Sequence, residues 1–129
     1  MKVKAFGYRK WSNFLLPLVP VWLPAAGKTD SIYALVDSGA RISMFNTLTA
    51  GLLGVNIKEG KKIMLSGVGG GITGYIHKIP VVVADVKIQL KVCFSERWEG
   101  LNILGRDNFF HKFVVAFDEL KRITILQSR

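Results

Sequence analysis

The sequence predicts an all-β fold, a closed barrel of short strands with one or two short helices, and three observations carry that prediction. Apolar runs rich in Val, Ile, Leu and Phe are short and recur along the chain, as in Ile32-Tyr33-Ala34-Leu35-Val36 and Val114-Val115-Ala116-Phe117. Turn-forming residues separate them at intervals of about eight to twelve residues, the spacing of sandwiches and barrels. Thirteen glycines, several clustered between strand-like runs, supply the tight turns that such a fold needs. At 129 residues the chain is expected to form a single domain, residues 1–129, with one core. Its 50% hydrophobic and 21% charged content is that of a globular protein.

The elements follow in order. Residues 16–23 read as an extended edge strand, because proline is tolerated at sheet edges. Residues 25–30 form a turn cluster, and residues 31–36 return as the partner strand. Residues 42–45 make a short strand. Asn46 then caps a brief helix over residues 47–53, which Gly54 closes. A strand begins at residues 62–65 and leads into a segment, 66–75, that holds five glycines. Residues 79–83 and 86–94 are strands with Asp85 at their turn, and residues 101–105 are a short apolar strand ending in glycine. Residues 105–111 form one or two helical turns, and residues 114–117 and 123–126 are the last two strands.

The basic N-terminus followed by the apolar residues 14–23 resembles a secretory signal, with Ala25-Ala26 as a weak cleavage site. Pro17, Pro20 and Pro24 interrupt that run, which is too short to span a bilayer as a helix. Its removal would also take away the partner of the strand leading to Asp37. The run is therefore read as a structural strand, with no membrane span and a cytoplasmic location.

Eighteen basic against nine acidic residues give a net charge of +9, and Lys2, Lys4, Arg9, Lys10 and Lys28 all precede the first carboxylate. Such a balance attracts nucleic acid, anionic membrane or acidic protein. The chain has no zinc spacing, no arginine-rich tract and no basic helix, so a solvated surface is the better reading than a nucleic-acid site. Cys93 is the single cysteine, which excludes an intrachain disulfide, and its apolar setting reads as a buried, inert thiol. His77 and His111 have no partner at metal-ligand spacing, and the scattered Trp11, Trp22 and Trp98 read as core or rim packing.

One tetrapeptide carries the chemistry. Asp37-Ser38-Gly39-Ala40 ends an apolar strand, so a rigid strand delivers a carboxylate into a tight turn with a hydroxyl and backbone N–H groups beside it. By itself this is also an ordinary turn sequence, since Asp, Ser and Gly favour type I turns. Two further segments accompany it: the glycine-rich hairpin of residues 67–74, and Asn102-Ile103-Leu104-Gly105-Arg106-Asp107.

Together the three resemble the retroviral-type (retropepsin-like) aspartic proteases, homodimeric single-domain relatives of pepsin. The resemblance spans roughly residues 16–126. It implies a retropepsin-like barrel with a flap over the active site, and hydrolysis of peptide bonds by water held between two Asp37 carboxylates of a homodimer. Peptide hydrolysis of this kind needs one carboxyl to accept a proton and another to donate one. Two adjacent carboxylates cannot both ionise, so they share a proton. With one such Asp per chain, the second must come across a two-fold axis. Ser38 and Gly39 are expected to support Asp37. Ala40, Arg41, Val68, Gly69, Gly70, Gly71 and Tyr75 are expected to bind an extended peptide. Neither metal nor organic cofactor is implied. Asp107 and Asp118 lack the Ser-Gly that follows Asp37 and are poor candidates for a second catalytic acid.

The chain departs from the family at Arg41, where many viral members carry an acidic residue, while Arg106 keeps the family's arginine. Two cations there repel unless Asp107 or a substrate carboxylate intervenes, and acidic side chains flanking an apolar cleavage site are the expected preference. The viral N-terminal strand signature is missing, so residues 123–126 are expected to build most of the dimer sheet. Two alternatives stay open: a catalytically inactive peptide-binding or dimerisation module of the same fold, and, more distantly, a basic β-barrel that binds nucleic acid.

Overall fold

The computed structural model describes residues 2–27, 30–67 and 70–129. Its strands in chain order are β1 (Val3–Gly7), β2 (Arg9–Trp11), β3 (Phe14–Leu16), β4 (Leu18–Trp22), β5 (Ser31–Val36) and β6 (Ser43–Phe45). They continue as β7 (Lys61–Gly67), β8 (Gly70–Val83), β9 (Val86–Phe94), β10 (Asn102–Leu104), β11 (Phe113–Asp118) and β12 (Ile123–Ser128). One α-helix, α1 (Thr47–Leu53), follows β6.

Six strands, in the order β4-β5-β10-β6-β9-β8, close into a barrel, with β7 added to the outside of β8 as the second arm of a hairpin. Closure comes from Trp22 pairing with Val82. The strand expected at a sheet edge is therefore paired on both sides, with β5 along its length and with β8 at its end. Pro20 is accommodated within it, opposite Tyr33. Inward positions alternate along each strand, as a half-buried strand requires. Ile79, Val81 and Val83 of β8 meet Ile88, Leu90 and Val92 of β9 inside the barrel, while Lys78, Lys87 and Lys91 point out. Ala84 and Asp85, both with positive φ (49° and 66°), make the tight turn between β8 and β9 that favours a twisted hairpin.

The helix forms as its caps dictate. The Asn46 side chain accepts from the Thr49 N–H, and Gly54 ends the helix in the left-handed conformation at φ 67°, where a Cβ is penalised. Residues 105–111 give less helix than expected: a bend after Gly105 and one 3-10 turn, Phe110–Lys112.

The chain ends form a second sheet, β1-β12-β11, whose Phe113 and Leu126 belong to the same buried cluster as the barrel residues, with the Phe113 ring against Phe109. Residues 123–126, expected to build a dimer sheet, lie in the middle of this sheet. β12 has hydrogen-bonded partners on both flanks, so its edges are already used. Among the described residues, the free edges of this terminal sheet belong to β1 and β11. The N-terminal strands β1 to β3 were not legible in the sequence, because their residues are almost all exposed and lack a buried face to set a period. Lys28 and Thr29 of the expected 25–30 turn lie outside the described residues.

Candidate active site

β5 pairs in parallel with β10, Leu35 opposite Ile103 and Val36 opposite Leu104, and β10 pairs in turn with β6. The short apolar strand thus threads between the strand that delivers Asp37 and the strand that leaves it. The Asp37 N–H donates to the Leu104 carbonyl at 3.0 Å, and the Val36 N–H donates to the Pro17 carbonyl at 3.0 Å. The loop carrying Asp37 is therefore held from both sides at its root.

Within the loop, the Ala40 N–H donates to the Asp37 carbonyl at 3.2 Å, closing the turn. The Gly39 N–H donates to Asp37 Oδ1 at 2.9 Å. That bond holds the carboxylate in one rotamer against its own turn. A Cβ on Gly39 would lie 3.3 Å from the same oxygen, so glycine is the residue that leaves the carboxylate its place. Asp37 is half-buried, while Ser38 and Gly39 are exposed. The carboxylate is thus presented at a surface, with its backbone support behind it.

The next residues are clamped by the segment after β10. The Arg106 N–H donates to the Ala40 carbonyl at 2.9 Å, and the Asp107 N–H to the Arg41 carbonyl at 2.8 Å. The Arg41 guanidinium pairs with the Asp107 carboxylate at 2.9 Å. Of the two groups expected to offset the cations there, Asp107 is paired with Arg41. Gly105 lies against this clamp, where a Cβ would stand 2.6 Å from the Ile42 carbonyl group and 2.9 Å from the Ala40 oxygen. Its N–H donates to the buried Ser43 hydroxyl at 3.0 Å.

The hairpin of β7 and β8 is in register from Lys61 opposite Ile76 to Gly67 opposite Gly70. Val68 and Gly69, expected at its tip, lie outside the described residues. Gly70 and Gly71 are exposed at the end of the hairpin. Gly74 is buried where the hairpin joins the barrel, and a Cβ there would collide with the Cys93 sulfur. Burial pushes the Cys93 thiol above its ordinary pKa, as an inert core thiol requires.

The hairpin's two faces line different cavities. Ile63 and Ile76 face a groove of about 490 Å³ shared with Arg41, Ile42 and Asp107. Tyr75 and Gly71 face a separate cavity with Lys58, Lys62 and Arg97. Arg41 and Tyr75, both expected to bind peptide, therefore lie on different cavities. His77 has a structural place: its Nε2 lies 2.9 Å from the Ile57 carbonyl, and its ring meets Phe94 edge-on.

A polar network behind the site escaped sequence reasoning. Asn102 Oδ1 accepts from the Asn46 N–H at 2.9 Å and from the Thr49 hydroxyl at 3.0 Å, tying α1 to β10. The available signal was an asparagine at the head of an otherwise apolar strand.

Among the described residues, no helix is long and apolar enough to cross a membrane. Compared with known proteins, the chain matches no family model and no curated protein.

Proposed function

We propose that this protein is an aspartic endopeptidase of the retropepsin-like type, active as a homodimer in which two Asp37 carboxylates hold and activate water. The observation that carries this reading is the support of Asp37. Its carboxylate accepts from the Gly39 N–H, and its backbone is anchored on Leu104 of a strand that crosses between β5 and β6. A plain surface turn has no need of that crossing strand. In the dimer one carboxylate takes the proton of the attacking water and the other protonates the scissile group. Among the described residues β7 forms one border of its sheet, and its outer edge is available to pair with an extended peptide. The free edges of β1 and β11 are the parts of the terminal sheet open to a second copy.

The test is cleavage of an unstructured peptide library by the full chain, with protein concentration varied. Specific activity is expected to rise with concentration through the dimer dissociation constant, and Asp37→Asn to abolish cleavage while leaving the fold intact. Cleavage by a demonstrated monomer, or cleavage that survives Asp37→Asn, overturns the proposal. Peptide binding without cleavage by the unaltered chain would instead mark an inactive module.

A further inference from the structure

Among its described lining residues, the groove between Arg41-Ile42 and the β7–β8 hairpin carries more positive charge than its one carboxylate neutralises. Arg41, Lys61, Lys78 and Lys91 line it, and Asp107 is already bound to Arg41 at 2.9 Å. Lys78 and Lys91 are direct partners in the β8–β9 register, both on the outer face of the barrel. Like charges placed opposite each other across two strands destabilise a sheet. An anion seated between them removes that cost and gains two attractive contacts.

The rest of the lining says which anion. Ile42, Ile63, Met64 and Ile76 give the groove an apolar wall. That wall suits a side chain with a methylene stem and a carboxylate end. It does not suit a phosphodiester backbone, and of the described residues lining the groove only His77 has a ring on which a base could stack. The volume of about 490 Å³ lies in the range of pockets that enclose small organic groups.

We propose that this groove is a subsite that selects an acidic side chain, Glu above all, in an extended peptide lying along the hairpin beside Arg41 and Ile42, an inference that rests on the protease reading above. Selection falls on Lys61, Lys78 and Lys91, because Asp107 already occupies Arg41. The acidic preference expected from Arg41 alone is thereby reassigned to three lysines on the hairpin and its neighbouring strand.

The experiment measures affinity of the full-length Asp37→Asn chain for decapeptides in which Glu is stepped along the sequence, each matched by its Gln counterpart. At one position the Glu peptide is expected to bind about three- to ten-fold more tightly, the scale of a few partly exposed ion pairs. The gap should shrink as salt is raised, because exposed charges are screened. It should close in a Lys78→Gln/Lys91→Gln double variant, and narrow independently in Lys61→Gln, which lies on a different strand. The double variant relieves a like-charge pair, so it is expected to melt no lower than the parent. Equal affinity for Glu and Gln peptides at every position overturns the inference, as does a gap that the lysine variants retain. Displacement of the Glu peptide by a single-stranded oligonucleotide, through the same lysines, overturns it in favour of nucleic acid. Cleavage by the unaltered chain separates the two readings. A charge-dependent gap without cleavage sinks the protease alone, and cleavage without a Glu preference sinks the subsite alone.

Discussion

At the scale of single residues, the site depends on positions that look structural. Gly105 is the sharpest case, because the atoms nearest its missing Cβ are backbone and cannot rotate away: the Ile42 carbonyl group at 2.6 Å and the Ala40 oxygen at 2.9 Å. Gly105→Ala is expected to cost about 1–3 kcal/mol, the range for forcing an extra methyl into a packed interior. The displaced backbone is the clamp on segment 40–42, so cleavage of peptide should fall more than stability alone explains. Urea unfolding combined with activity, measured where the variant is fully folded, checks both expectations. The sequence marked Gly105 as the end of an apolar strand. It gave no sign that Ala40 and Ile42 close on it, since more than sixty residues separate them.

At the scale of elements, α1 and β10 show how a short helix and a short strand hold each other. A seven-residue helix is marginal by itself. Its Asn46 cap was legible, because Asn before and Gly after a short periodic run are local signals. The Asn102 carboxamide that satisfies the Asn46 N–H was not, because its partner lies across the fold. Asn102→Ala leaves that N–H without its acceptor and should cost about 1–3 kcal/mol, read as a lower urea midpoint with an unchanged slope. A loss below about 0.5 kcal/mol would mean that water replaces the carboxamide.

At the scale of the whole molecule, the terminal sheet is joined to the barrel by apolar packing at Phe109, Phe113 and Leu126, and by an ion pair at its rim. Lys4 of β1 reaches Asp85 in the β8–β9 turn at 2.8 Å. The hydrogen bond from Lys4, and then its charge, hold the Asp85 carboxyl below its ordinary value of 3.8. A carboxyl depressed in the folded state stabilises above its unfolded pKa and loses that contribution as pH falls through the folded value. The joint should therefore be intact from neutral pH down to about 4 and weaken only below it. An NMR titration should place Asp85 below 3.8 and Lys4→Ala should move it upward. An Asp85 titration indifferent to Lys4 would show that the rim pair is not formed in solution.

What the sequence by itself determined is local. The period of apolar residues placed β5, β6, β9 and the second part of β8 over residues 79–83, the caps placed α1, and the Asp37-Ser38-Gly39 turn stood out because its signals are adjacent residues. The tertiary structure alone decided how these pieces close. It brought β4 round to β8, making a barrel strand of what read as an edge. It ran β10 between β5 and β6, and it enclosed β12 between β1 and β11. The physical reason is common to all of these. A strand's period says which face is buried but not which strand lies beside it, and that choice is settled by the packing of the whole core.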